Sequence, residues 1–423
     1  MFAGSPARDL HVEIKRRSLT ATAWSGERGR MAGLTRRNVL GVVPAAFAGR
    51  AVYAAAGPQA VTLSVAATQS DIRLLRHAYG TLHPGLWRYA TPRRSAAAFD
   101  ALADAAQAPM TQARFYLALS RCLATIRCGH SYANFYNQKK PVQAALFDTP
   151  TRLPLAFLWL GQDMIVTGDP FRTGIAAGSR ILAIDGRATP EILTGLMTVA
   201  RADGHNDAKR RRLMSVQGED GYESFDIFHA LMFGGRTRYD LVVEAPDGRR
   251  RTARVDAVTL DQRREQLAIA DADRDDGPIW TIERRGRAAV LTMNGWGLYN
   301  SKWDWRGWLN DAVDRLVAEK VPALIVDIRR NEGGEDCGDV LVARLIRQRL
   351  VSDPARRLVR YRTLPADLRP YCDTWDRAFD TLGVNALPYD DRFFELADAE
   401  RGATVIEPFG TRYDGRLRVL IGP

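Results

Sequence analysis

Several short stretches of this sequence hold residue types that do chemistry. Cys128-Gly129-His130-Ser131 puts an imidazole just past the end of a helical stripe. A histidine is the usual general base near neutral pH, and a loop at the end of an element is a common catalytic address. The preceding glycine permits close approach; a purely structural histidine is the competing account. Cys122, Cys128 and His130 could also be metal ligands, but C-x5-C-x-H matches no common zinc pattern and no second ligand pair follows nearby, so neither metal nor cofactor is expected. A disulfide using Cys122 or Cys128 is the other reading of these thiols. Asn331-Glu332-Gly333-Gly334 lies between an apolar run and a helical one. Paired glycines there expose N–H groups that can face an anion or a developing oxyanion, or they simply make a tight turn. No Gly-Lys-Ser/Thr follows, so it is not a phosphate loop of the Walker type, and the G-x-G-x-x-G fingerprint is absent. Asp327, Arg329 and Arg330 could bind a carboxylate or form salt-bridged support. The stretch Trp296 to Trp308, with Tyr299, Trp303 and Trp305, could line a cleft or pack under a helix.

The elements that must position these groups fall into three regions. Residues 65–128 read as helical: Ile72, Leu75 and Tyr79 share one face until His83-Pro84-Gly85, and Phe115, Leu119, Cys122 and Ile126 form a stripe on a helix starting near Thr111. Residues 150–260 read as strands and turns, with runs at 153–160, 163–168 and 178–189, and a hairpin around Pro246-Asp247-Gly248. Residues 277–423 read as α/β: two short strands over 278–295, an amphipathic helix carrying Trp305, Leu309, Ala312, Leu316 and Val317, a buried central strand at 323–330, another helix after the glycine pair, and a last strand-like run at 415–423.

Composition excludes other classes. With 46% hydrophobic and 26% charged residues among 423, the chain is neither disordered nor low-complexity. The formal charge of +11 raises nucleic acid as a partner, but only six of the 60 basic residues are lysine and the arginines are interleaved with acids, which reads as a solvated surface. Part of the excess is N-terminal: residues 1–56 hold nine basic and three acidic groups. There Met31 precedes Arg36-Arg37, the apolar stretch Val39–Ala48 and an A-x-A-like site at Ala54–Ala56. This is the layout of a signal peptide on the twin-arginine route, and it predicts export to a bacterial periplasm or beyond, with no membrane span after cleavage and Met31 as the start. A disordered arm is the alternative.

Taken together, FYLALSRCLATIRCGHSY at 115–132, GSRILAIDG at 178–186, ALIVDIRRNEGG at 323–334 and DGRLRVLIGP at 414–423 resemble the serine peptidase family of C-terminal-processing (tail-specific) and tricorn-type proteases. DIRLLRHAYGTLHPGLWRY at 71–89 is similar to that family's helical lead-in. The resemblance implies a crotonase-like (ClpP-like) mixed-sheet α/β core over 277–423, a PDZ-like β-rich domain over 150–260 and a helical N-terminal domain over 65–145. It further implies peptide or unfolded-protein substrates, His130 as general base, Gly333 or Gly334 as an oxyanion donor, and an accessory role for Ser131; Arg329 is suggested as a contact for a substrate carboxylate.

One departure matters. In the resembling family the nucleophilic serine follows a strand like the one at 416–423, in a T-x-S-A/S segment, and no such segment is found here. The expectation is a core cut short before its nucleophile, inactive as the 423-residue chain, with the missing helix encoded downstream. Ser131 lacks the strand-to-helix elbow of a nucleophile. Two other readings stand beside this one: a non-catalytic peptide-binding protein using the PDZ-like region, and an acyl-thioester lyase on the same core, in which the GHSY stretch would have no role.

Overall fold

The computed structural model describes residues 13–14, 61–218, 221–267, 277–299, 301–352, 356–374, 376–396 and 404–422. The expected export segment at 31–56 lies outside them. No helix among the described residues is long and apolar enough to cross a membrane.

The N-terminal helices start where capping residues stand. Ser64 caps α1 (Val65–Leu82) by accepting from the Ala67 N–H, and Thr111 caps α3 (Gln112–Ala124) by accepting from Arg114. Between them lies α2 (Pro92–Ala105), capped by Thr91 and opened by its own proline. The expected stripe on α3 is buried: Phe115, Leu119, Cys122 and, past the helix end, Ile126 all face the core. A short α4 (Lys140–Leu146) follows.

The middle region is an antiparallel sheet of β1 (Ala156–Leu160), β2 (Asp163–Gly168), β3 (Arg180–Ile184), β4 (Arg238–Glu244) and β5 (Arg250–Asp256), paired in that order. The β4–β5 hairpin turns at Gly248, φ 82°, where glycine meets the left-handed backbone at little cost. Arg238 faces Asp256, Asp240 faces Arg254 and Glu244 faces Arg250 across it, each as an ion pair. The arginine-rich surface is thus matched locally by acids, as the interleaved composition suggested. The region holds more helix than strands and turns alone: α5 (Thr189–Met197), α6 (Asp207–Arg212), α7 (Ser224–Phe233) and α8 (Leu260–Gln266). Asn206 caps α6 and a Thr259/Gln262 capping box starts α8; the shortness of these helices hid the 3.6-residue period. Buried side chains of α2, α3 and this sheet form one continuous apolar cluster.

Residues 277–422 build a second sheet, ordered β6 (Trp280–Arg285), β7 (Ala288–Met293), β8 (Ala323–Ile328) and β9 (Arg416–Ile421). β6 is antiparallel to β7, and the rest are parallel, so the sheet is mixed. β8 is internal, as its apolar run predicted, but not buried on both faces. Leu324 and Val326 join Leu291, Met293, Leu309 and Leu316 in one cluster, while Ile325 and Asp327 on the other face are partly exposed. The connection between β7 and β8 carries α9 (Trp305–Ala318), capped by Asp304. The tryptophan-rich stretch is mostly packing: Trp280 meets Trp303, Trp305 and Trp308 edge-on. After β8 the chain makes the glycine loop and enters α10 (Cys337–Ala343), much shorter than the helical pattern suggested.

One buried ion pair holds the middle region together. The Arg263 guanidinium on α8 forks onto both oxygens of Asp226 on α7, at 3.1 and 3.0 Å, with side chains 1% and 2% exposed. It also donates to the carbonyls of Leu153 and Leu155, which lead into β1. Removing the carboxylate alone leaves a buried guanidinium without its counter-charge. Asp226→Ala should therefore lower unfolding stability by about 3–5 kcal/mol in urea titration; a change below about 1 kcal/mol would show that the pair is not a structural anchor.

Candidate functional site

The histidine loop is shaped by its neighbours. Past α3, Arg127 turns the chain with φ 58° and its carbonyl accepts from the Gly204 N–H at 2.8 Å. Gly129 donates its N–H to Asp203 Oδ1 at 2.8 Å, and its carbonyl accepts from Arg201 at 2.6 Å. A Cβ at 129 would stand 3.2 Å from Asp203 Oδ2, so a side chain there would press the carboxylate back by a few tenths of an ångström. The Arg201 guanidinium lies over the Tyr132 ring at 3.8 Å. His130 is thus exposed on a loop pinned on both sides.

Ser131, by contrast, is buried. It is 6% exposed, and its hydroxyl is bonded to His83 Nε2 at 2.9 Å. His83, which reads in the sequence only as the residue ending α1, stacks on Tyr79 at 5.4 Å. Together they make a polar cluster behind His130, and Cys128 is its chemical centre. Burial raises the thiol, but hydrogen bonds from His130, His83 and Ser131 outweigh it and hold Cys128 at about 5. Cys122 and Cys337, desolvated without such donors, are pushed up to about 12. All four cysteines are free thiols, so the disulfide reading is not realised.

The glycine loop is set by backbone contact. Gly333 and Gly334 have φ 98° and 134°. Trp296 donates its N–H to the Gly333 carbonyl at 3.1 Å, and its own carbonyl accepts from Glu335 at 2.8 Å, a parallel bridge that brackets Gly334. A Cβ on Gly334 would lie 2.2 Å from the Trp296 carbonyl carbon and oxygen. Asn331 braces the turn from both ends: its amide donates to the Met293 carbonyl at 3.0 Å, and its oxygen accepts from the Gly333 N–H at 2.8 Å. That bond commits Gly333, whereas the Gly334 N–H makes no hydrogen bond within the described residues. Of the two glycines, Gly334 is the available donor.

The two loops are tied through α6. Its Asn206 cap follows directly on the 201–204 segment that grips the histidine loop, and Lys209 on α6 forms an ion pair with Glu332 of the glycine loop. Beside this tie, a cleft of about 670 Å³ opens at the carboxyl ends of β7 and β8, walled by β1 and α6. Arg329 lines it, but its guanidinium is spent on Asp327, Nε at 2.9 Å and Nη2 at 2.6 Å, which holds that carboxyl below its ordinary range. Salt-bridged support is therefore what Arg329 provides. At the end of β9, a Cβ on Gly422 would stand 2.1 Å from the Arg329 carbonyl oxygen, so that strand terminus abuts the same loop. Lys209 and its tie were missed in the sequence, where 209–212 reads only as a charge run.

The fold is similar to that of mature CPAF complexed with lactacystin, with a TM-score of 0.50 at 14% identity over 84% of this chain and 79% of that one. A CPAF mutant gives 0.53, also at 14% identity and the same coverage. The model of peptidase family S41 matches residues 287–423. A search of the curated proteins found no match.

Two measurements check this geometry. Iodoacetamide should alkylate Cys128 at pH 6 and leave Cys122 and Cys337 intact, with the rate falling off only below about pH 5, because the thiolate persists to that point. A midpoint near the ordinary thiol value of about 8.5 would overturn the assignment. Gly334→Ala should lower stability by more than about 2 kcal/mol through the clash with Trp296, while Gly333→Ala, which meets nothing within 4 Å, should cost about 1 kcal/mol. Equal costs would show that Trp296 does not hold the loop.

Proposed function

We infer that the protein serves peptide-bond hydrolysis by acyl transfer, and the observation that carries this is the unspent N–H of Gly334, held against Trp296 within the segment 287–423 that the model of peptidase family S41 matches. In this reading residues 277–423 are the crotonase-like core and the middle sheet is the PDZ-like, peptide-docking part. The substrate is a peptide or unfolded protein laid along the cleft.

The reaction needs a hydroxyl nucleophile presented from the end of β9, where the resembling family carries its serine. His130 takes the hydroxyl proton as the oxygen attacks the scissile carbonyl. The Gly334 N–H, with a second donor, holds the oxyanion. Collapse expels the amine, which takes the proton from the imidazolium, and water then hydrolyses the acyl ester by the same route in reverse. Ser131 does not serve as nucleophile: its hydroxyl is buried and bonded to His83.

The test is hydrolysis of a quenched fluorescent peptide library by the 423-residue chain and by any longer product of the same reading frame. The chain alone should show no turnover. A longer product carrying the serine should cleave, and His130→Ala in it should lower kcat about 10²–10⁴-fold with KM little changed. Full activity in that variant would remove His130 from the mechanism. Turnover by the 423-residue chain that vanishes in Ser131→Ala would overturn the site.

A further inference from the structure

Cys128 differs from the other three thiols in access and in company. Cys122, Cys337 and Cys372 are buried, whereas Cys128 is partly exposed on the histidine loop. Four donors converge on its sulfur: the rings of His83 and His130, the Ser131 hydroxyl and the His130 backbone N–H. These donors are themselves oriented. His83 Nδ1 is buried and has no partner among the described residues, so a proton there would be a donor without an acceptor. In the neutral ring the proton therefore sits on Nε2, which faces the Ser131 hydroxyl at 2.9 Å. Tyr79, whose hydroxyl burial keeps protonated, also meets Ser131. With His83 and Tyr79 donating to Ser131 Oγ, its one proton goes to the sulfur. Gly129, between the sulfur and the imidazole, is fixed by Asp203 and Arg201. Donors so arranged favour the thiolate, and a partly exposed thiolate is a nucleophile. The hydrolytic reaction gives it no part.

We propose that Cys128 is a site of reversible S-thiolation by low-molecular-weight disulfides, with His83 and Ser131 as its positioning residues. The Cys128 thiolate attacks one sulfur of a disulfide RS–SR. A new S–S bond forms, the old one breaks, and RS⁻ leaves with the electron pair and takes a proton from solvent. Cys128 is oxidised and the departing half is reduced to a thiol; added thiol runs the exchange backwards. The consequence for His130 rests on the peptide-hydrolysis reading. The mixed disulfide removes the thiolate to which the imidazole is bonded and sets a substituent beside it, so the base is blocked until the disulfide is reduced.

The experiment reads the adduct, so it does not depend on turnover. The 423-residue chain would be incubated at pH 6 with 2-hydroxyethyl disulfide, and adducts located by mass spectrometry of its peptides. At that pH a thiol with its midpoint at about 5 is about 300-fold more ionised than one at about 8.5, while its lower basicity lowers nucleophilicity about 40-fold. Cys128 should therefore react about 5- to 10-fold faster than a cysteine in an unstructured peptide. Cys122, Cys337 and Cys372 should stay unmodified, and dithiothreitol should remove the adduct. Ser131→Ala and His83→Gln should each raise the midpoint of the rate–pH profile by about one unit, which a merely structural role would not do. Thermal melts show which variant is folded, and either one alone reads the shift. Comparable modification of Cys337 or Cys372, a Cys128 rate no faster than that of the unstructured peptide, or a midpoint unmoved in the folded variants overturns the proposal. In a serine-bearing longer product, S-thiolation should lower kcat about 10²-fold, dithiothreitol should restore it, and Cys128→Ala should be immune. Turnover unaffected by complete thiolation overturns the link to His130. If that product cleaves no peptide in either state, the hydrolytic reading fails, and the adduct measurements still decide the thiolation site.

Discussion

The position of the glycine loop depends on a contact between two backbones. Gly334 sits against the Trp296 carbonyl so closely that no side chain fits, and the two flanking hydrogen bonds lock the pair into a one-residue parallel bridge. In the proposed reaction, a donor aimed by such a contact needs no reorganisation when charge develops in front of it, which is the physical basis of oxyanion stabilisation. Everything around it serves that placement. β7 and β8 lie in parallel register so that Met293 and Asn331 come within hydrogen-bond reach, and the aromatic cluster under α9 fixes where Trp296 emerges.

The second sheet does not act alone. The histidine loop belongs to the helical region, and its geometry is transmitted through Asp203, Arg201 and α6 to the glycine loop. The buried Asp226–Arg263 pair in turn holds the approach to β1, which walls the cleft. The relative placement of the histidine loop and the glycine loop is therefore set by the middle region as much as by the second sheet.

Much of this was legible in the sequence. The stripe Phe115, Leu119, Cys122, Ile126 marked α3, and the apolar run at 323–328 marked an internal strand, because each has a strong local period. The Asn-x-Gly-Gly pattern marked the loop. Local pattern does not encode which groups meet across the fold. It could not tell that Asn331 would consume the Gly333 N–H, or that Arg329 would be spent two residues back on Asp327. The partnership of His83 with Ser131 spans 48 residues, and only packing reveals it. The short helices of 189–233 were hidden because fewer than three turns give too little periodicity to outweigh the flanking strands.

The thiolate of Cys128 has a practical consequence for classifying the protein. It stands against the imidazole proposed as base, so any adduct there would crowd and neutralise the working side of His130. A survey with class-selective reagents would then give a misleading profile. In a serine-bearing longer product, maleimides or epoxide warheads would abolish the proposed activity and suggest a cysteine nucleophile, although the proposed reaction gives the sulfur no part in bond cleavage. Replacing the thiol by alanine before such a survey separates the two meanings of inhibition.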